Sequence, residues 1–229
     1  MAQPYILCIE TATAVCSVAL FAGDELVAQR EEIGFVHSAK TAVFIQGCLT
    51  EASIQAKDLA AVAVDIGPGS YTGLRVGLST AKGICFALDL PLITLSGLNI
   101  LAQVSRQLYP EPHALHMPMI DARRMEVYTK AFNASGETIQ EAGPFILQTD
   151  SFHPFSDYDR IYCSGDGSKK LDLLDFKEDI RLLALRSDAR HMGGLAFTAF
   201  RQKEFADLRW VEPNYIKPPN ITKSKKTLL

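Results

Sequence analysis

The sequence predicts an α/β protein made of a duplicated βββ-α-β-α unit, two mixed-sheet lobes with helices, the second of them reduced. Three observations carry this. A short apolar run at 61–64 feeds the glycine-dense string Asp65-Ile66-Gly67-Pro68-Gly69-Ser70-Tyr71-Thr72-Gly73-Leu74-Arg75-Val76-Gly77, the pattern of a strand, a loop and the start of a helix. Apolar segments at 5–9, 15–21 and 26–31 are separated by turn residues and read as an antiparallel meander. The same grammar returns from Met117, and 161–163 leads into Ser164-Gly165-Asp166-Gly167-Ser168 as 62–64 leads into the first glycine loop. The lobes are placed at 1–98 and 99–215, and 216–229 is a basic tail expected to be mobile.

In chain order, the first hairpin turns at Glu10-Thr11-Ala12-Thr13 and the second at Gly23-Asp24. A helix follows at 38–52, with Ser38 as N-cap and Ala42, Ile45, Leu49 and Ala52 on the face toward the sheet. Phe44 and Cys48 widen its apolar arc to roughly 160° when residues are placed 100° apart. The glycine loop opens a second helix at 73–88, capped by Ser70 or Thr72. Its polar strip is only Arg75, Ser79 and Lys82, while Val76, Phe86 and Ala87 lie off the Leu74, Leu78, Ala81, Cys85 stripe, and Gly77 and Gly83 permit close approach of another helix. Phe44, Cys48, Val76, Gly77, Gly83, Phe86 and Ala87 are therefore the candidate interface. Either a partner covers them, or one deeply packed domain does.

A strand at Leu92–Leu95 and a helix from Ser96 complete the first half. The second has strands at 117–120, 125–132 and from Thr138, with Asp121 in the place of Glu10. Its glycine loop runs into the charged string Lys169-Lys170-Leu171-Asp172 rather than an apolar helix, so this copy is the eroded one. A last helix is expected over 188–205.

Composition narrows the function. With 229 residues, 48% hydrophobic and 21% charged, the chain can bury a large core, and its net charge of −3 lacks the general positive field of an autonomous nucleic-acid binder. The five cysteines, Cys8, Cys16, Cys48, Cys85 and Cys163, form no Cys-x-x-Cys pair and read as reduced core residues. No basic leader or long apolar span appears, so a cytoplasmic protein with no membrane role is the expectation. The five histidines are scattered, and His113-x-x-His116 has no carboxylate at helical spacing, so no metal site is expected. No Ser/His/Asp, Cys/His or His-Glu-x-x-His arrangement is visible, and no catalytic residue is assigned.

The glycine string suits an anion, since it exposes N–H groups beside a helix N-terminus. It is neither a Walker loop nor the dinucleotide fingerprint. Gly67, Gly69 and Ser70, with Glu10 and Thr11 of the first hairpin and Arg123 of the second lobe, are the candidate nucleotide or phosphate residues. The alternative for the loop is a tight strand-to-helix turn with no ligand. Glu10 is equally readable as a strand-end carboxylate bonded to nearby N–H groups. Arg123 and Arg124 either clamp a phosphate or pair with Asp121 or Glu126 and brace the turn.

The string from Gly67 to Gly77, followed by Ala81-Lys82-Gly83, resembles the signature of the TsaB (YeaZ) family. The segment Asp121-Ala122-Arg123-Arg124-Met125-Glu126-Val127-Tyr128 is similar to that family's Asp-Ala-Arg-x-x-Glu-Val-Tyr, and Pro213-Asn214-Tyr215 to its closing Pro-x-Tyr, so the likeness spans almost the whole chain. The resemblance implies an actin-like (ASKHA) fold and a role in tRNA threonylcarbamoyladenosine formation. The chain would be a non-catalytic scaffold that pairs with a TsaD-like protein, with a TsaE-like ATPase in the larger complex and tRNA contacted indirectly. It would require no cofactor of its own, with ATP or ADP at the complex interface, and would form a homodimer when isolated. The catalytic TsaD relatives carry a metal-holding His pair where this chain has Gly97 and Leu101, and Ala12 stands where an actin-like phosphate site wants glycine. Two rival classes are an actin-like ATPase or kinase with its own nucleotide site and a purely self-associating module.

Overall fold

A computed structural model of the chain describes residues 3–34 and 36–218. The first sheet begins with an antiparallel meander, β1 (Tyr5–Glu10), β2 (Val15–Ala22) and β3 (Glu25–Ile33), to which β4 (Leu59–Asp65) and β5 (Leu92–Leu95) add in parallel, giving the order β3-β2-β1-β4-β5. The period-two alternation of strand side chains divides its core into two layers. Leu7, Ile9, Val62 and Val64 face helices α1 (His37–Glu51) and α2 (Tyr71–Leu88). Ile6, Cys8, Ala61 and Ala63 face α4 (Gly193–Gln202) and Ile100 of α3 (Gly97–Leu108). Burial on both faces explains why β1 and β4 read as unbroken apolar runs.

The second sheet repeats the design. Strands β6 (Ala114–Asp121), β7 (Glu126–Asn133) and β8 (Thr138–Ile146) form its meander, β9 (Arg160–Ser164) and β10 (Ile180–Leu182) add in parallel, and the order is β10-β9-β6-β7-β8. Where the first half has α2, the second has only a 3-10 turn at Asp166–Leu173. The fold is the duplicated actin-like one, with a reduced second lobe.

Several local expectations are corrected. Helix α1 starts at His37, after Val36 rather than at a Ser38 cap. Its inward residues are Thr41, Phe44, Ile45, Cys48 and Leu49, and Ala42 points outward. Phe44 and Cys48 are therefore core, not interface: Phe44 is 9% exposed, and the Cys48 thiol donates to Val18 O at 3.6 Å. The reason is that α1 packs on β2, β3 and α2 together, so a wide apolar arc is covered inside the molecule. Gly77 is also internal, since a Cβ there would lie 2.2 Å from Thr11 Oγ1. The last helix is shorter than 188–205. A 3-10 turn at Ala189–His191 precedes Gly193, and Lys203, at φ 59°, ends the helix. Although it follows the second sheet in sequence, α4 covers the first. Of the basic tail, residues 219–229 lie outside the described residues. Among the described residues no helix is long and apolar enough to cross a membrane.

Candidate functional site

The β1–β2 turn and the glycine loop meet at the heart of the first lobe. Ser70 caps α2, its Oγ accepting from Gly73 N–H at 3.3 Å, while its own N–H donates to Ala12 O at 2.6 Å. The Thr11 hydroxyl donates to Gly73 O at 2.8 Å. A Cβ at Gly69 would stand 2.2 Å from Ala12 O, and one at Gly73 would stand 2.0 Å from Thr11 O. The motif glycines thus let the start of α2 lie directly on the backbone of residues 11 and 12. Glu10, Thr11 and Ala12 are all buried. The structure places Glu10, Thr11, Gly69 and Ser70 near one another, but Thr11 and Ser70 bond Gly73 and Ala12 across a closed contact.

Gly67 closes a different part of the loop. Its N–H donates to Asp65 Oδ1 at 2.7 Å, and Gly97 N–H donates to the same oxygen at 2.9 Å. Glu10 accepts from Ala12 N–H at 2.6 Å on Oε1 and from the Ser187 hydroxyl at 2.7 Å on Oε2. Asp65 and Glu10 are both fully buried, and burial first, then the charge of Asp65, pushes the Glu10 carboxyl well above the usual carboxylate range. Asp65 is raised as well, by burial, against the pull of its hydrogen bonds. Asp65 Oδ2 finds no donor among the described N–H and O–H groups, and a carboxyl proton on Glu10 is the donor that faces it. Burial thus favours a proton on this pair of carboxyls, with Glu10 the one pushed further up. The pairing of Asp65 with Glu10, and Ser187, escaped the sequence reading. Glu10 and Asp65 end neighbouring parallel strands, which is the signal that would have found the first. Ser187 has none, being 177 residues from its partner.

The segment after α4 crosses the motif. Asn214 N–H donates to Ile66 O at 2.7 Å, Tyr215 stacks on Tyr71 with centroids 4.5 Å apart, and Arg75 Nε donates to Tyr215 OH at 3.0 Å. The Tyr71 hydroxyl bonds Lys217 O, and Lys217 Nζ reaches Glu126 of β7 at 2.5 Å. This strap joins the first lobe to the second.

The equivalent turn of the second lobe is open. Asp121 accepts from Arg123 N–H and from Lys170 Nζ, both at 2.5 Å. Arg123 and Arg124 are exposed and adopt left-handed φ values of 72° and 49°, a conformation that costs about 1–2 kcal/mol each for residues with a Cβ. Asp121 and Glu126 are paired with lysines, not with these guanidinium groups, so the bracing reading does not describe the turn.

The outward face of α2 carries the remaining interface candidates. Val76 is half-buried, Gly83 and Ala87 are exposed, and Phe86 is 84% exposed. A Cβ on Gly83 would meet nothing within 4 Å. Val43 of the neighbouring α1 is exposed too. Gly97 and Leu101 are buried on α3, Gly97 against Asp65.

Duplicated sheets, a first-lobe turn covered by a glycine-lined helix and a strap over that helix define an α/β protein of the actin-like fold. The sequence profile described as TsaD, tRNA N6-adenosine threonylcarbamoyltransferase, matches residues 31–153. The TsaB protein of Bacillus subtilis, a tRNA threonylcarbamoyladenosine biosynthesis protein, is 29% identical over 223 residues, 93% of each chain. That of Escherichia coli is 37% identical over 123 residues, 54% of this chain and 52% of its own. The solved structure of YeaZ from Pseudomonas aeruginosa superposes with a TM-score of 0.77 at 25% identity, over 93% of this chain and 100% of that one. The chain belongs to the TsaB (YeaZ) family, and its role lies in tRNA threonylcarbamoyladenosine biosynthesis.

Proposed function

We propose that this chain is the non-catalytic partner of a TsaD-like protein in the transfer of a threonylcarbamoyl group to tRNA, and that the two pair through the outward face of α2. The observation that carries this is Phe86, 84% exposed, on one helix face with the uncrowded Gly83. A phenylalanine left in water forgoes about 1.5–3 kcal/mol relative to full burial, and a glycine one turn away lets a second helix come close enough to bury it. The closed contact between Thr11, Ala12 and the loop supports the absence of an independent nucleotide reaction. Adenine nucleotide then belongs at the junction with the partner, where a TsaE-like ATPase joins. The isolated chain places a second copy of itself on the same face, about a twofold axis.

Because both pairings use one face, they exclude each other. Light scattering of the pure chain should give a dimer at about ten micromolar, and added TsaD-like protein should convert it to a one-to-one complex. Phe86→Asp and Gly83→Leu should abolish both assemblies without lowering the melting temperature of the monomer. A ternary species with both homodimer and heterodimer contacts, or unchanged assembly of the two variants, would refute the assignment.

A further inference from the structure

The open turn of the second lobe holds two cations that the fold does not use. Among the described residues, neither the Arg123 nor the Arg124 guanidinium has a hydrogen bond or ion pair, because Lys170 occupies Asp121 and Lys217 occupies Glu126. In the first lobe the same turn is buried under α2; here only the 3-10 turn Asp166–Leu173 follows the glycine loop, and Asp121, Arg123 and Arg124 are exposed. Tyr128 leaves this turn on β7 and lines a shallow cleft with Gly69, Tyr71, Tyr215 and Lys217. Burial and the neighbouring Tyr71 push its phenol up, while Lys217 and Arg123 pull it down. On the far side Arg75 lies over the Tyr215 ring, 5.8 Å from its centroid. Arg75, Arg123, Arg124, Lys170 and Lys217 thus outnumber the turn's carboxylates, Asp121, Glu126 and Asp166, the last accepting from Asp121 N–H at 3.0 Å, in a chain whose net charge is −3.

We infer that the Arg123–Arg124 turn, with the Tyr71, Tyr128 and Tyr215 cleft beside it, binds the phosphodiester backbone of an RNA loop directly. Two adjacent guanidinium forks suit phosphate oxygens, and tyrosines beside a cationic rim are what unpaired RNA bases use for stacking. A free nucleotide phosphate is less well served, since the loop N–H groups that would cradle it bond residue 12 and Asp65 instead. The inference rests on the tRNA role of the family but not on the α2 pairing, whose carrying residues, Gly83 and Phe86, lie toward the end of α2, whereas Tyr71 stands at its start.

The test is fluorescence anisotropy with an anticodon stem-loop RNA, for the chain alone and with a TsaD-like partner. Arg123→Asn/Arg124→Asn removes both charges with a residue that tolerates left-handed φ, Arg123→Lys/Arg124→Lys restores them, and Lys57→Ala/Lys177→Ala is a charge-matched control elsewhere on the surface. The Asn pair should weaken binding roughly tenfold or more and reduce the log–log salt slope by about 1.4. The Lys pair should recover the slope and the control should change neither. Wild-type chain with no RNA affinity alone or in complex, an Asn pair that binds like wild type, or a control that loses as much, would overturn the inference. So would displacement of the RNA by millimolar inorganic phosphate or ADP, which would assign the arginines to a small phosphate ligand. Phe86→Asp, assayed in parallel, reads the pairing separately: loss of the partner with RNA affinity of the isolated chain retained leaves this inference standing.

Discussion

Glu10 and Asp65 share one buried site, and Glu10→Gln is the substitution that reads their proton. Folding favours that proton because the folded-state pKa of Glu10 is raised by burial and by Asp65, whereas the unfolded carboxyl releases it near about pH 4.3. A raised acid pKa means that the folded state binds more protons than the unfolded one. Stability is then greatest below the unfolded value and declines as pH rises, by about 1.4 kcal/mol per unit for one proton, until the folded-state pKa is reached. Glutamine keeps its hydrogens at every pH. Its carbonyl replaces the oxygen that accepts from Ala12 N–H at 2.6 Å, and its amide donates toward Asp65 Oδ2, with the Ser187 hydroxyl free to turn and accept. The variant should match wild type near about pH 4.3 and gain on it as pH rises, by about 3–6 °C in Tm per pH unit for a domain of this size. Thermal melts of both proteins at several pH values from about 5 to about 8 measure this. A constant offset between the two curves across that range would show that no proton is shared, and the site would then need a different account.

The glycines of α2 predict opposite outcomes for one change. Gly73→Ala puts a Cβ 2.0 Å from Thr11 O, which is backbone and cannot yield easily, and should cost about 1–3 kcal/mol in urea unfolding. Gly83→Ala meets nothing within 4 Å and should stabilise by about 0.5–1 kcal/mol through helix propensity alone; equal losses at both positions would refute the packing described. The thiols of Cys48 and Cys85 are pushed up to about 11 by burial, and all five cysteines are buried and free. Thiol titration of the native chain with a disulfide reagent should therefore be slow and rise to five groups only on unfolding, and rapid labelling of any of them would contradict the core assignment.

The duplicated grammar was legible because strand alternation and turn residues are local signals, and each half spells the same order. The α2 cap was legible to within Ser70 or Thr72 for the same reason, both standing at the head of a periodic apolar run, and the structure selects Ser70. What failed was the side of α1. Its wide apolar arc was correct, but a single helix wheel cannot distinguish neighbouring elements of the same chain from a partner, and the sheet and α2 together take up Phe44 and Cys48 internally. Asp65, as the partner of Glu10, needed the parallel pairing of β1 with β4, a long-range fact. The place of α4 on the first sheet needed a chain reversal across the whole molecule that no window of sequence contains.

Closure of the phosphate turn and the exposure of Phe86 follow from one helical geometry. Gly69, Gly73 and Gly77 each lie against residue 11 or 12, and Ala81, the next residue four along, is fully buried. Residues four apart in an α-helix stay near one line, so this small-residue stripe is the edge along which α2 settles onto the β1–β2 turn. Gly83 is six residues from Gly77, which turns it roughly 120° away from that edge, and Phe86 and Ala87 follow it one turn on. A larger residue at 73 or 77 would lift the helix off residues 11 and 12, opening the turn and tilting the outward face together. The motif is therefore conformational as well as local: by bringing α2 down on the hairpin where an actin-like protein would hold phosphate, it also sets the direction in which Val76, Gly83, Phe86 and Ala87 meet whatever lies outside.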